Sequence, residues 1–214
     1  MDDIIEGVAK RWGGTLVLAR IKLLIIGAGG HGQCVAEAAE LSGQFEIVGF
    51  LDDACRAGEC VLGYPVLGAL DDIAAYASMC IQVAVAIGNN MLRASLFDKL
   101  KLTGLPLATI VHPKAIVSPH AQLGAGSTVM AGAIIGAHAK LGIGSIVNCG
   151  AVVDHHACVG DFGHLGVGSL MAGGARLGAK AWIQPGSVVS YGAEVMQCSV
   201  MLPGATLSKN GEVL

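Results

Sequence analysis

Two stretches of this 214-residue chain hold side chains whose type and spacing can do chemistry. The first is Gly27-Ala28-Gly29-Gly30-His31-Gly32, a G-x-G-x-x-G turn. Glycines at this spacing let backbone N–H groups at a helix N-terminus approach a phosphate. Asp52 stands as far beyond Gly32 as a dinucleotide fold places its ribose-binding acid, and Asp53 adjoins it. Alone, this fingerprint reads as NAD binding. The second stretch is Val153-Asp154-His155-His156-Ala157-Cys158, two imidazoles beside a carboxylate. Histidine is the side chain best suited to accept a proton near neutral pH. Of the other histidines, His112, His120 and His138 read as surface or corner residues. His31 reads as a phosphate contact or a helix cap.

The first stretch needs a strand before it and a helix after it. Ile21 to Ile26 is a short buried-strand pattern, and a helical stretch runs from the glycines through Leu41. A second strand, Phe45 to Leu51, ends at Asp52-Asp53; a third, Ile81 to Ile87, ends at Gly88-Asn89-Asn90 and leads into a helix carrying Arg93. The order predicts a small parallel α/β domain over residues 21–108, with ligand contacts at the carboxyl ends of its strands. That span is short for the two halves of a dinucleotide fold. One mononucleotide half fits it, with the glycine turn holding a phosphate and Asp52 accepting from a ribose or base. Residues 1–20 form an N-terminal extension to which no function is assigned.

The second stretch lies inside a repeat. From Val111 to Val213 an aliphatic residue recurs at every sixth position, and Ala, Ser or Gly stands four residues after each one as far as the chain runs. A period of six is neither helix nor simple strand. It fits a short strand plus a corner, three such periods closing one triangular coil whose interior holds the aliphatic side chains. Residues 109–214 then form a parallel β-helix, in which Gly173, three periods after His155, lies one strand spacing above it in the same column.

Composition narrows the function. The chain is 53% hydrophobic yet only 4% aromatic, with 32 glycines, which suits stacked layers of small side chains. A net charge of −3 without any basic run excludes a dedicated nucleic-acid surface. No segment reads as a membrane span or signal peptide. Seven cysteines without a C-x-x-C pair or metal spacing read as reduced thiols of a cytoplasmic protein without a metal. Only nine charged residues occur among positions 110–214, while outward positions include Met130, Ile134, Ile146, Val152, Trp182 and Val188. Such an exterior predicts flank-to-flank packing of several copies.

The six-residue period resembles the hexapeptide repeat of left-handed β-helix acyltransferases. With the G-A-G-G-H-G turn, Phe50-Leu51-Asp52-Asp53, Ile87-Gly88-Asn89-Asn90 and the segment Asn148 through Gly173, the whole chain resembles bacterial nucleotide-sugar acetyltransferases. That group includes the N-acetyltransferases of bacillosamine and perosamine pathways and sialic acid O-acetyltransferases. The resemblance implies a left-handed helix, a homotrimer, and acetyl transfer from acetyl-CoA to the 4-amino group of a nucleotide-linked, UDP-type dideoxy sugar in surface-glycan biosynthesis. His155 matches the family's catalytic histidine, Asn148 the residue near it, and Gly173 the glycine at the thioester. His164, Ala172, Gly173, Pro185 and Gly204 match the cofactor path. Gly29, Gly30, His31, Asp52, Asp53, Gly88, Asn89 and Asn90 fall on the nucleotide-sugar side. The residue after the base is usually Glu or Asp, which raises the imidazole's basicity; here it is His156. The sequence ends at Leu214, before a Gly-x-Pro-Ala-Arg/Lys tail common among these proteins. O-acetylation of a sialic acid-type sugar is the rival on the same scaffold. An NAD-binding oxidoreductase or sensor, and a non-catalytic trimeric scaffold, are the rivals of other classes.

Overall fold

The computed structural model describes residues 20–79 and 82–212. Residues 1–19 of the expected extension, Ile81 of the third strand and Val213 of the repeat lie outside the described residues.

The run Leu23 to Ile26 is apolar at every position because both its faces are covered. In β1 (Ile21–Ile26), Leu23 and Ile25 pack with Val35, Ala36 and Ala39 of α1 (Gly30–Ser42). Leu24 and Ile26 pack with Leu96, Phe97 and Leu100 of α2 (Asn90–Lys101) on the other face. β1 pairs in parallel with β2 (Phe45–Leu51) on one side. On its other side it pairs in parallel with a strand at Gln82–Val85. The carboxyl ends of β1 and Gln82–Val85 therefore bound a crevice where the strand order reverses.

Beyond β2 the structure adds a hairpin that sequence periodicity did not reveal. β3 (Cys60–Val61) is antiparallel to β4 (Tyr64–Gly68), and β4 is parallel to β2. Its two-residue turn places Leu62 at φ 52° and Gly63 at φ 83°, the positive pair of a type I′ turn. Leucine there hides the usual Asn-Gly signal. A helical segment, Leu70–Met79, then leads back to the sheet.

Seventeen two-residue strands follow, from Ile110–Val111 to Thr206–Leu207. Each consists of an outward residue and then the inward aliphatic residue of the six-residue period. Strands three periods apart pair in parallel, giving three faces of six, six and five strands around one core. This is a left-handed parallel β-helix. The corners explain the small residues: in Met130–Ala133, the Ala133 N–H donates to the Met130 carbonyl at 3.1 Å, with Gly132 between them at φ 69°. That is a type II turn, whose third residue needs positive φ. From residue 126 to residue 204 this corner site is left-handed in every case. Glycine fills nine of these sites and His138, His156, Phe162, Lys180 and Cys198 the other five.

The α/β domain sits on the first face of the prism, whose outward residues show its reach. Ile110, Thr128, Ile146 and His164 are buried, Trp182 is half-buried and Val200 exposed. Ile146 and Met130, expected as flank residues free to pack on another copy, are instead covered within the chain, Met130 by the cluster beneath α1. The uncovered apolar column is the second face, where Ile116, Ile134 and Leu170 are exposed and Val152 and Val188 half-buried.

Arg93 of α2 fastens the two domains and is fully buried. Its Nε donates to the Gly144 carbonyl at 2.7 Å and Nη2 to the Phe162 carbonyl at 2.8 Å, both β-helix corners. Nη1 donates to the Ile87 carbonyl at 2.8 Å, and Nη2 also to Asn90 Oδ1 at 2.9 Å. Beside it, Phe97 and Phe162 meet edge to face with ring centres 5.0 Å apart. Replacing Arg93 by methionine leaves these acceptors buried and unpaired. The expected cost is about 3–5 kcal/mol. Calorimetry should show a melting temperature lower by on the order of 10 °C, with the two domains no longer unfolding as one.

Candidate active site

His155 and His156 occupy the corner between the second and third faces. The His156 backbone is left-handed at φ 59°, which turns its ring toward its neighbour. The two Nδ1 atoms lie 3.1 Å apart, so one ring donates to the other. With the proton on His155 Nδ1, its Nε2 presents a lone pair. The Asp154 carboxylate holds the His155 backbone N–H at 2.6 Å, and its other oxygen is 3.8 Å from Nε2. The imidazole is about half exposed, with a side-chain accessibility of 49%.

Gly173 stands directly above. A Cβ there would lie 2.6 Å from both Cε1 and Nε2 of His155, so only glycine leaves room for the ring. The Gly173 N–H makes no hydrogen bond to a described residue. One more coil brings Tyr191, whose ring centre is 6.5 Å from that of His155. Sequence reasoning stopped one coil short of it.

The other expected residues divide by corner. Ala172 shares the His155 corner, whereas Asn148, Pro185 and Gly204 share the corner at the opposite edge of the second face. Asn148 Oδ1 accepts from the Cys149 N–H at 2.8 Å. The structure thus brings together His155, His156, Ala172 and Gly173, and separates them from Asn148, His164, Pro185 and Gly204 of the same chain.

Around the sheet crevice the residues do mixed work. A Cβ on Gly32 would strike the Gly27 carbonyl, so that glycine serves packing. Gly29, Gly30 and Gly88 face open space. Asp52 uses both oxygens on backbone, accepting from the Ala28 and Ala54 N–H groups at 2.7 Å each. Asp53 accepts from the Leu70 N–H at 2.9 Å. Asn89 caps α2, while Asn90 Nδ2 donates to the Lys180 and Ala181 carbonyls across the domain junction.

A cleft of about 480 Å³ opens at this junction, lined by Gly88, Asn89, Asn90, His164, Lys180 and Trp182 among others. Its walls hold polar atoms without partners, His164 Nδ1 and Trp182 Nε1, with the two rings stacked at 5.3 Å. His31 Nε2 is likewise buried and unpaired. Burial, and then the nearby Arg93 charge, lower the pKa of His31 to about 4 and that of His164 to about 3. Burial alone lowers that of Arg93 to about 10. Both histidines are therefore neutral near pH 7. The metal question is simpler: no three His, Cys, Asp or Glu groups cluster for an ion among the described residues. Nor is any described helix long and apolar enough to cross a membrane.

Residues 22–100 match the PglD N-terminal domain family. The chain is 35% identical to the acetyltransferase domain of PglB from Neisseria gonorrhoeae, solved with acetyl coenzyme A. That match covers 90% of this chain and 98% of that one, with a TM-score of 0.81. It is also 35% identical to a mutant GDP-perosamine N-acetyltransferase from Caulobacter crescentus, solved with CoA and GDP-perosamine. There the coverage is 90% and 91% and the TM-score 0.84. The chain belongs to the bacterial nucleotide-sugar N-acetyltransferases. A further relative, UDP-N-acetylbacillosamine N-acetyltransferase of Bacillus subtilis, is 32% identical over 111 residues, and the match spans half the length of each chain. After the α/β domain the chain continues into the β-helix and not into a second half of a dinucleotide fold.

The neutral histidines give a pH dependence with a definite sign. His164 resists protonation in the fold down to about pH 3, whereas the unfolded chain takes the proton near its ordinary value of 6.5. The unfolded state binds more protons between these values. Stability should fall with decreasing pH there, by about 1.4 kcal/mol per pH unit for this group. Urea midpoints at pH 7 and pH 4.5 should converge in the His164→Gln variant relative to the parent.

Proposed function

We propose that the chain transfers the acetyl group of acetyl-CoA to the 4-amino group of a nucleotide-linked dideoxy sugar, of UDP type, for surface-glycan synthesis. The observation that carries this reading is the contact of His155 Nε2 with Gly173. It sets a proton acceptor beside an unpaired backbone N–H, with nothing larger than a hydrogen on the intervening carbon. The amine nitrogen attacks the thioester carbonyl carbon, Nε2 takes the amine proton, the Gly173 N–H donates to the oxyanion, and as the C–S bond breaks the CoA thiolate leaves and takes that proton from the imidazolium. A sugar amine is a better nucleophile than a sugar hydroxyl, and both relatives bound to CoA-type ligands described above are named for acetyl transfer, one of them to GDP-perosamine. GDP- and dTDP-linked sugars are the alternatives to UDP that an assay must include.

The reading includes a homotrimer, and the corners supply the reason. The second face is apolar and uncovered, and its two edges are unlike: one bears His155 and Gly173, the other Asn148, Pro185 and Gly204. When three copies turn this face toward a common axis, unlike edges meet, as a cyclic assembly requires. The partner's Asn148, and the first face carrying its α/β domain, then stand beside His155. On this reading the cofactor lies along that seam, served by His164, Ala172, Gly173, Pro185 and Gly204.

A thiol-release assay with acetyl-CoA against UDP-, GDP- and dTDP-amino sugars tests the activity. His155→Ala should lower kcat by about 10²–10⁴-fold with an unchanged melting temperature. Gly173→Ala should lower it comparably by displacing the ring. Turnover of His155→Ala close to that of the parent would refute the base assignment. In light scattering, Leu170→Asp should shift the protein from trimer toward monomer; a monomeric parent would refute the assembly.

A further inference from the structure

The β-helix carries few charges, five of them Lys or Arg among residues 110–214. Two of these five, Lys140 and Arg176, line one cleft of about 550 Å³ on the third face, together with Gln122, His138, His156 and Cys158. No carboxylate among the described residues lines it. Lys140, Cys158 and Arg176 are the outward residues of three successive coils in direct register. The two cations are thus about 9.6 Å apart at the backbone, two strand spacings, and their long side chains can close on an anion between them. Neither makes an ion pair with a described residue, although Glu194 follows Arg176 one coil further along the same outward column.

The histidines of this cleft are placed at a conformational cost. His138 and His156 both sit at left-handed corner sites, with φ 60° and 59°, where glycine fills nine of fourteen. Their rings pack at 5.0 Å, and His120 stacks below His138 at 5.6 Å, so the strained corners present a column of N–H-bearing rings along the cleft edge. His156 also touches His155, so the cleft opens beside the proposed base.

We propose that this cleft binds the sugar-linked phosphate of the nucleotide diphosphate acceptor. The proposal rests on the acetyltransferase reading and extends it to the acceptor's charge. Its direction follows from the columns. The thioester contact Gly173 lies above His155, and the residues matched to the cofactor path continue upward through Pro185 and Gly204. Lys140, His138 and Gln122 lie on the coils below, and Arg176 lies on the coil of Gly173, so the two cations bracket the level of the base on the third face. A sugar whose amine meets His155 carries its phosphate one pyranose ring away, and the cationic pocket beside the base, on the third face, receives it. The nucleoside end then reaches the partner's glycine turn. Arg176 and Lys140 supply charge-assisted donors, and the histidines N–H groups.

Calorimetric titration with inorganic pyrophosphate reads the cleft without requiring turnover. Lys140→Gln/Arg176→Gln should weaken pyrophosphate binding at least tenfold at fixed ionic strength, with an unchanged melting temperature. Lys140→Arg should retain it, and each single Gln variant should fall between. In steady-state assays the double variant should raise the KM for the nucleotide sugar at least tenfold and leave that for acetyl-CoA within twofold. Equal pyrophosphate affinity in parent and double variant would overturn the site. A rise confined to the acetyl-CoA KM would overturn the acceptor assignment and give the cleft to the phosphates of CoA. Pyrophosphate binding lost on substitution in a protein that transfers no acetyl group would keep the anion site and defeat the acetyltransferase reading instead.

Discussion

The buried guanidinium of Arg93 organises this molecule. No carboxylate among the described residues neutralises it: its hydrogen bonds go to backbone carbonyls of both domains and to the Asn90 amide. Such a charge is costly to bury and tolerable only if every donor is satisfied. The carbonyls of Ile87, Gly88, Gly144 and Phe162 must therefore converge on one point, and that convergence fixes how α2 and the segment after the strand Gln82–Val85 lie on the β-helix. Asn90 is drawn toward Lys180, His164 is sealed against Gly88, and the same charge helps keep His31 and His164 neutral. A sheet crevice on one domain and a wall of stacked rings on the other become one cleft because of this contact.

The two candidate centres of one chain face away from each other. The sheet crevice lies over the first face, and His155 occupies the vertex where the second and third faces meet. A triangular prism cannot bring a face and its opposite vertex together by bending, since its interior is filled by aliphatic side chains at every level. Chemistry that needs both must borrow one of them from another copy. The bare second face, apolar from Ile116 to Val188, sits between the two edges that such borrowing would join.

Much of the fold is legible in the residues because the period of six is so regular: the aliphatic positions from Val111 to Leu207 all became inward residues of strands. The column offset of three periods likewise brought Gly173 onto His155. What stayed hidden was whatever depends on contact between distant parts. Ile146 and Met130 look like flank residues until an α/β domain covers them. Arg93 looks like an ordinary helical surface residue. The left-handed corner site escaped notice because five non-glycine residues interrupt its signature, and they include His156, whose backbone sets the approach to His155. Asp52 and Asn89 have the right types for ligand contacts, but spacing alone does not reveal how far backbone amides already occupy them.

The β-helix also acts as a ruler graduated in whole coils. Every level repeats the same three outward positions and the same three corners, so a side chain can be moved along the axis only in steps of one strand spacing, about 4.8 Å. The interval from the Lys140 level to the Gly173 level is set by the number of coils between them and by nothing softer. Adding a whole number of coils lengthens that interval and keeps every inward aliphatic in phase, whereas residues added within the strands in any other number would rotate the upper corners away from the lower ones. Any distance measured along this axis is therefore a quantised property of the scaffold, counted in coils.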